Sequence, residues 1–277
     1  MSTTLTPDEL RRELASATPP LVIDVRRADD RKLRPQGIPG ADWRDPLLLE
    51  DWAGGIPASA EVAVYCVRGG SVSKNVQDQL ARRGVKARYV EGGLAAWSEG
   101  EALRADPDAA LLLSQGVPEK GLAHAVLVAQ IALAVARDQS PQPDLDLVRR
   151  GALLHDLGKV RDMGNLHGVA GAELGRELGL PEEVLDCIEK HVRHGVPLEQ
   201  AEGYGLPRRD FSFTRVEERI VSYADKLADI LAAGLAAGMA EARERFPEIL
   251  AANASLAKDE ATLARYSDSW KLLEQPR

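Results

Sequence analysis

The sequence predicts two domains of different class: an α/β domain with a parallel sheet, followed by an all-α domain. Over the first hundred residues, short β-branched apolar runs alternate with stretches of helical periodicity, which is typical of parallel strands joined by crossover helices. After about residue 104 the strand patterns largely end, and helical periodicity rich in alanine and leucine takes over. The polar segment 98–108 is expected to be a linker. We therefore predict domains at residues 1–104 and 105–277.

Composition and charge narrow the class of protein. A hydrophobic content of 44% and a charged content of 28% are those of a soluble globular chain. The net charge of −8 argues against nucleic acid as the main partner, because phosphate binding needs a basic face. The sequence shows neither a signal peptide nor an apolar run that predicts a membrane helix. Cys66 and Cys187 lie far apart, which favours free thiols and a cytoplasmic location.

The elements of the first half follow from local patterns. The stretch PDELRREL predicts an amphipathic helix, and the apolar runs at 20–26 and 61–66 predict buried strands. The stretch SKNVQDQLARRG predicts a helix that ends at Gly84, and VKARYVEGG predicts a third strand that is closed by glycines.

Cys66 stands at the end of the second predicted strand. It is followed by VRGGS and then by a helix, so that loop amides and a helix N-terminus would surround the sulfur. Such surroundings stabilise a thiolate, and Arg68 adds positive charge. The pattern indicates nucleophilic sulfur, used for persulfide formation, phosphate-ester attack or redox sensing. The alternative is a buried strand cysteine without a chemical role.

This half resembles the rhodanese family of sulfurtransferases. The resemblance rests on TPDELRREL, on the strand with Asp24 and Arg26, on GIPGA, on the Cys66 loop and on the closing VEGGLAAW. It implies that Cys66 is catalytic and carries a persulfide taken from a small donor such as thiosulfate. It also implies that the loop binds the transferred sulfur or an oxyanion, through Arg68, Gly69, Gly70 and Ser71.

The loop departs from the common rhodanese pattern at one point. Ser71-Val72 stands where many members have Arg-Ser, and we expect Arg68 to supply the missing positive charge.

The second half concentrates residues that bind metals. All five histidines lie between positions 124 and 194, and His155-Asp156 forms a polar pair within an apolar helical run. Consecutive helical side chains diverge by roughly 100°, but they can still converge on one ion at the helix edge. Imidazole and carboxylate together suit Fe, Mn, Zn, Co or Ni, and helical bundles build such sites from several helices. The candidate ligands are His124, His155, Asp156, His167, His191 and Asp225. We expect His194 to be an ordinary surface or core histidine.

The order of these residues strongly resembles the HD superfamily of metal-dependent phosphohydrolases over about residues 110–235. The stretches ALLHDLGK and EERIVSYADKL carry the resemblance, which implies an all-helical fold, catalytic Asp156, and hydrolysis of a small phosphoester or nucleotide. The pair His167 and His191 is similar to members that hold two metals, so one or two divalent transition metal ions are expected, with Asp156 bridging a pair. The motif of the cyclic-di-GMP-degrading branch is missing after His191, so that substrate is not indicated.

Cationic residues near these motifs are candidates for substrate binding. We expect Lys159 to act on a substrate phosphate and Arg193 to bind it, since arginine recognises phosphate with two hydrogen bonds. Arg161, Arg208 and Arg209 are weaker candidates. The segment 196–213, which is rich in glycine and proline, is placed where a lid over the substrate could lie.

The sequence leaves two alternatives open. Some two-iron members of the HD superfamily activate dioxygen to cleave carbon–phosphorus or carbon–carbon bonds, and the ligand set permits two irons, so the resemblance also allows an oxygenase. Cys66 could instead be a redox or sulfide sensor that regulates the metal domain. A homo-oligomer is possible under either reading.

Overall fold

The computed structural model describes residues 3–274 of the chain. The chain divides into two compact units, with the division between Ala102 and Leu103. The first unit contains a parallel sheet and the second is helical, which confirms the predicted fold class.

The first unit is built on a five-stranded parallel sheet in the order β1-β5-β4-β2-β3. Three of its strands match the predicted runs, and they occupy the centre of the sheet. Residues 62–65 of the middle strand are fully buried, as expected for a parallel sheet covered on both faces. The two remaining strands have two residues each, too few to show a periodic pattern. The strands are β1 Thr4–Leu5, β2 Leu21–Asp24, β3 Asp42–Trp43, β4 Glu61–Tyr65 and β5 Lys86–Val90.

Five helices accompany this sheet. Helix α1 starts with a capping box, because Glu9 accepts a hydrogen bond from the amide of Thr6 while the Thr6 hydroxyl accepts one from the amide of Glu9. The two units divide inside the predicted linker at 98–108, most of which is helical. The helices are α1 Pro7–Leu14, α2 Ala28–Leu33, α3 Leu49–Ala53, α4 Ser71–Arg82 and α5 Gly93–Arg104.

The second unit is entirely helical in the part of the chain that the structure describes. Helices α7, α8, α10 and α12 pack together around one hydrophobic core, to which the C-terminal helices also contribute buried side chains. The helices are α6 Pro107–Ser114, α7 Glu119–Arg137, α8 Leu145–Leu154, α9 His167–Glu177, α10 Glu182–Lys190, α11 Leu198–Ala201, α12 Val216–Ala232, α13 Met239–Glu244, α14 Phe246–Ala252, α15 Ala254–Ala257 and α16 Glu260–Glu274. Short 3₁₀ turns occupy Leu157–Val160 and Glu202–Tyr204.

Helix α7 is the one helix within residues 3–274 that is long and apolar enough to cross a membrane. Its most apolar window has a mean hydropathy of 1.4, and 56% of that window is buried inside the unit. The helix packs against α8 and α12, so its apolar character is explained by its place in the core.

The chain leaves helix α8 earlier than the sequence predicts. The α-helix ends at Leu154, His155 caps it, and Asp156 precedes the 3₁₀ turn Leu157–Val160. The expectation that His155 and Asp156 are consecutive helical residues is therefore wrong. Close packing is the physical reason, because Gly158 in this turn presses against Gly171 of α9.

Gly158→Ala tests whether this contact holds the turn in place. An added Cβ would overlap the backbone carbonyl of His167 and the amide of Gly171, so we expect a loss of about 2 kcal/mol or more in the free energy of unfolding. Urea unfolding followed by circular dichroism measures this loss. Gly203→Ala is the control, because a Cβ there meets nothing within 4 Å; equal stability of the two variants would contradict the account.

Candidate metal centre and cysteine loop

Cys66 lies between strand β4 and helix α4, at the position that the sequence indicates. Its side chain is buried, and its Sγ lies 3.3 Å from Oγ of Ser73 in the first turn of α4. Burial raises the pKa of the thiol, but hydrogen bonds from the Ser73 hydroxyl and from the amides of Ser73, Arg68 and Gly70 together outweigh it and lower the pKa. The loop therefore stabilises a thiolate.

A glycine turn supports the cysteine loop from behind. Gly69 has a φ of +64°, and a Cβ there would lie 2.6 Å from the carbonyl oxygen of Val90 and 2.7 Å from the amide nitrogen of Gly92. The amide of Leu94 donates to the carbonyl of Cys66 at 2.9 Å. The VEGG segment is thus a backbone support that fixes the loop.

The Asp24–Arg26 pair has a structural role. Arg26 is 1% exposed, and its Nη2 donates to Asp24 Oδ2 at 2.6 Å while its Nη1 donates to the carbonyl of Arg34 at 2.6 Å. Nearby, the Tyr65 hydroxyl accepts a hydrogen bond from the amide of Ile38 at 3.1 Å. These bonds fasten the segment around the GIPGA turn to the end of the sheet.

The predicted loop residues differ in exposure, and one contributor was missed. Gly69 is buried, whereas Arg68, Gly70 and Ser71 are exposed around Cys66. The sequence analysis did not select Ser73, although a serine in the first turn of the following helix is placed to reach the sulfur.

Ser73→Ala tests the source of the lowered pKa at Cys66. Removal of the hydroxyl takes away the largest of the pKa-lowering contacts, so alkylation of the folded protein should require higher pH than in the wild type. The pH dependence of iodoacetamide labelling at Cys66 measures this, since Cys187 is buried and its pKa is raised. Asn75→Ala, on the exposed side of α4, is the control; an unchanged labelling profile in Ser73→Ala would contradict the assignment.

The second unit brings all six predicted metal ligands together. Helix ends supply most of them: His155 and Asp156 follow α8, His167 begins α9 and His191 follows α10. The two others lie within long helices, with His124 on α7 and Asp225 on α12.

One half of the cluster is built around Asp225. His124 Nε2 lies 3.0 Å from Asp225 Oδ1, and His155 Nε2 lies 3.6 Å from the same oxygen. Asp156 Oδ2 faces these two imidazoles at 3.8 Å and 3.3 Å. His124, His155 and Asp225 form one group that could hold a metal ion.

The other half uses the second oxygen of Asp156. His167 Nε2 and His191 Nε2 are 3.0 Å apart, and they lie 3.5 Å and 3.6 Å from Asp156 Oδ1. The two oxygens of one carboxylate thus face two different pairs of histidines. This is the arrangement of a carboxylate placed to bridge two ions.

The backbone fixes the protonation of three imidazoles. The Nδ1 atoms of His155, His167 and His191 lie 2.5–2.7 Å from the carbonyl oxygen of the residue three positions earlier. A carbonyl only accepts, so each Nδ1 carries a hydrogen, and when the ring is neutral its lone pair is at Nε2.

The Nε2 lone pairs of these imidazoles face other hydrogen-bond acceptors. Those of His167 and His191 point at each other, and His155 Nε2 is buried without a hydrogen-bond partner within residues 3–274. A cation in the cluster resolves this conflict, and the mixed nitrogen and oxygen donors suit a divalent transition metal.

The close approach of these imidazoles and carboxylates also shifts their pKa values. The neighbouring imidazoles, against the effect of burial, hold the pKa of Asp156 and of Asp225 well below the usual range. Burial alone would lower the pKa of His155, but the two carboxylates raise it to about 10. Burial and the nearby His191 lower the pKa of His167 to about 4. The cluster therefore favours positive charge at its centre, which a proton on His155 or a bound cation can supply.

A cleft of about 300 Å³ opens beside the cluster. Lys159 and Arg193, both predicted to act on substrate, line it, and the Lys159 ammonium contacts the carboxylate of Asp156. Arg161, Arg208 and Arg209 are not among the lining residues. Four lining residues that the sequence analysis missed belong to α15, α16 and their junction: Leu256, Lys258, Thr262 and Tyr266.

The remaining expectations in this unit concern His194 and a lid. His194 is buried, bonds to the hydroxyls of Ser222 and Ser269 at 2.8 Å and 2.6 Å, and stacks on Tyr266, so it is a core residue as expected. The segment 196–213 contributes no lining residue to the cleft, and its apolar side chains pack with Val169 of α9. The predicted lid therefore stays a hypothesis.

Comparison with known proteins gives a family for each unit. The family model for the HD domain matches residues 121–230, and the model for the rhodanese-like domain matches residues 6–100. An uncharacterized protein of Methanocaldococcus jannaschii is 41% identical over 116 residues, which are 42% of this chain and 68% of that protein. This chain belongs to the HD domain family and carries a rhodanese-like domain. Both resemblances found in the sequence are thereby confirmed.

The HD domain is also similar to proteins of known activity. Ribonuclease Y of Thermobifida fusca is 34% identical over 120 residues, which are 41% of this chain and 24% of that protein. The HD domain of the Listeria monocytogenes phosphodiesterase PgpH, solved in complex with cyclic-di-AMP, is 18% identical, with a TM-score of 0.38 over 60% of this chain and 98% of that one. The Methanocaldococcus jannaschii protein is the exception in coverage. The chain spans about a third or less of the length of the other curated relatives that it matches.

Proposed function

We propose that the HD domain is a metal-dependent phosphohydrolase that acts on a small phosphoester or nucleotide. The position of Asp156 is the observation that carries this proposal, because its two oxygens face two histidine pairs beside a cationic cleft. One or two divalent transition metal ions in the cluster would supply Lewis-acid activation of water and of the phosphoryl group.

The side chains of the chain itself bind and orient. His124, His155 and Asp225 would hold one ion, while His167 and His191 would hold a second with Asp156 shared between them.

Two cationic side chains in the cleft are placed to bind the phosphate of the substrate. Lys159 is 41% exposed beside Asp156, so its ammonium can bind a phosphate oxygen without leaving the cleft. Arg193 adds a planar donor group that suits two phosphate oxygens at once.

Asp156→Ala tests the hydrolase. The variant lacks the carboxylate that both histidine pairs share. We therefore expect metal content and the rate of hydrolysis of p-nitrophenyl phosphate to fall about tenfold to a hundredfold. Metal analysis and steady-state assays measure the two effects. Asp268→Ala, an exposed carboxylate of α16, is the control.

Two results would change the interpretation. Full activity in metal-free Asp156→Ala protein would contradict the proposal. A bound pair of redox-active irons with dioxygen consumption would favour the oxygenase alternative.

We further propose that the rhodanese-like domain transfers sulfur. The Cys66 thiolate would attack the outer sulfur of a small donor such as thiosulfate, so that sulfite leaves and a persulfide remains on Cys66. The lowered pKa of the thiol and the surrounding amides of Arg68 and Gly70 support this step. Gly69 and Ser71 belong to the same loop and complete the proposed binding site.

Cys66→Ser tests the sulfur transfer. Wild-type protein treated with thiosulfate should gain one sulfur atom at Cys66 by mass spectrometry and turn over thiosulfate with cyanide, and the variant should do neither. Cys187→Ala is the control, because that thiol is buried in the core of the other unit and its pKa is raised. Absence of a persulfide in the wild type would favour the alternative of a redox or sulfide sensor.

We also propose domain bounds, a cellular location and an oligomeric state for the whole chain. We assign domains to residues 1–104 and 105–277, a cytoplasmic location and an ability to form homo-oligomers. The two free cysteines among the described residues are compatible with a reducing compartment.

A further inference from the structure

The C-terminal helices form a wall of the metal cleft that the HD domain match does not include. That match ends at residue 230, whereas Leu256, Lys258, Thr262 and Tyr266 all line the cleft. Asp156 and His191, which follow α8 and α10, line the same cleft. Residues of this wall, which lie outside the HD domain match, can therefore determine which substrate the cleft prefers.

Lys258 sits on an unusual turn in this wall. It links α15 to α16 with φ of 67° and ψ of −55°, and the amide of Asp259 donates to the carbonyl of Ala257 at 2.8 Å. This is a classic γ-turn, a strained conformation that is rare for a residue with a side chain. Such strain persists only where neighbouring contacts hold it, and it concentrates at functional sites.

Asp259 provides the contacts that hold the turn. Its Oδ1 accepts hydrogen bonds from the Tyr204 hydroxyl at 3.0 Å and from the amide of Thr262 at 2.7 Å, which caps the start of α16. Its Oδ2 pairs with Nη1 of Arg193 at 2.7 Å. The Arg193 guanidinium also lies over the Tyr204 ring, 4.8 Å from its centroid. The two oxygens thus have separate tasks, one for the helix cap and one for Arg193.

Lys258 differs from the other cations that line the cleft. Lys159 pairs with Asp156, Lys226 pairs with Asp229, and Arg193 pairs with Asp259. Among the described lining residues, Lys258 is the cation without an ion pair, and it is exposed to the cleft.

The charges that line the cleft indicate which kind of phosphate Lys258 would bind. Four cations line the cleft, those of Lys159, Arg193, Lys226 and Lys258, against three lining carboxylates, those of Asp156, Asp225 and Asp229. The lining side chains therefore carry a net positive charge, to which divalent ions in the cluster would add. A doubly charged phosphate matches this better than a singly charged one.

We propose that Lys258 binds the terminal phosphate of the substrate and selects a phosphomonoester dianion over a phosphodiester. Asp259 is a positioning residue that holds Arg193 toward the same phosphate. This inference rests on the proposed hydrolase function and names the substrate class for that site.

Lys258→Ala, Lys258→Arg and Lys271→Ala test the phosphate contact in the metal-loaded full chain. Loss of one charged hydrogen bond should raise KM for p-nitrophenyl phosphate about tenfold or more, with much less effect on kcat or on bis(p-nitrophenyl) phosphate. The arginine variant should restore most of the affinity, and Lys271→Ala, an exposed residue of α16, should match the wild type. Equal losses on the two substrates, or a loss confined to kcat, would overturn the proposal.

Asp259→Asn separates positioning from folding. Asparagine keeps an oxygen for Tyr204 and Thr262 but lacks the acceptor for Arg193, so KM should rise while the thermal midpoint stays near that of the wild type. Asp259→Ala removes both functions and should lower the midpoint as well. An unchanged KM in Asp259→Asn, or a midpoint as low as that of Asp259→Ala, would overturn the positioning role.

The failure of the hydrolase and the failure of this inference give different results. If wild-type protein binds metal but hydrolyses neither substrate, the proposed function is wrong. Calorimetry with inorganic phosphate then decides the contact: weaker binding to Lys258→Ala supports it, and equal binding to both proteins contradicts it.

Discussion

The helical unit depends on a conflict between acceptors at its centre, which a metal cation resolves. Hydrogen bonds from Nδ1 to backbone carbonyls leave the Nε2 atoms of His155, His167 and His191 as lone pairs, which converge with the carboxylates of Asp156 and Asp225. Without a cation, His155 takes up a proton, as its pKa of about 10 indicates. With a divalent ion, the same atoms become ligands. Metal binding would then offset the cost of burying these groups and couple the stability of this unit to its function.

The fold imposes this conflict through where its helices end. His155 and His191 each stand one residue beyond a helix, so their rings turn into the space between α8, α9 and α10. The 3₁₀ turn that starts after Asp156 can reach α9 because Gly158 and Gly171 allow the two backbones to touch. The cysteine loop uses glycine in the same way, since Gly69 lets it rest on the turn behind it. In both units, a close backbone contact determines where a reactive side chain points.

The sequence was sufficient for features that depend on residue type and order. Three central strands, the helical second unit, the cysteine at a strand end and the six residues of the histidine and aspartate cluster follow from periodicity or from family resemblance. Features that depend on tertiary packing could not be predicted. A two-residue strand has no period, the end of α8 depends on the contact at Gly158, and the apolar side chains of segment 196–213 pack with Val169 of α9. Lys258 reaches the cleft only through the fold, so no local pattern marks it, whereas the position of Ser73 in the first turn after the cysteine loop could have been read from the sequence.

The central claim is that the histidine and aspartate cluster is a metal centre in which Asp156 faces two ion positions. Anomalous scattering from crystals grown with a divalent transition metal tests it most directly. The account predicts a peak among His124, His155 and Asp225, and, when both positions are filled, a second peak between His167 and His191 with Asp156 shared between them. A well-ordered cluster that stays free of metal under these conditions, with its imidazoles bonded directly to the carboxylates, would contradict it.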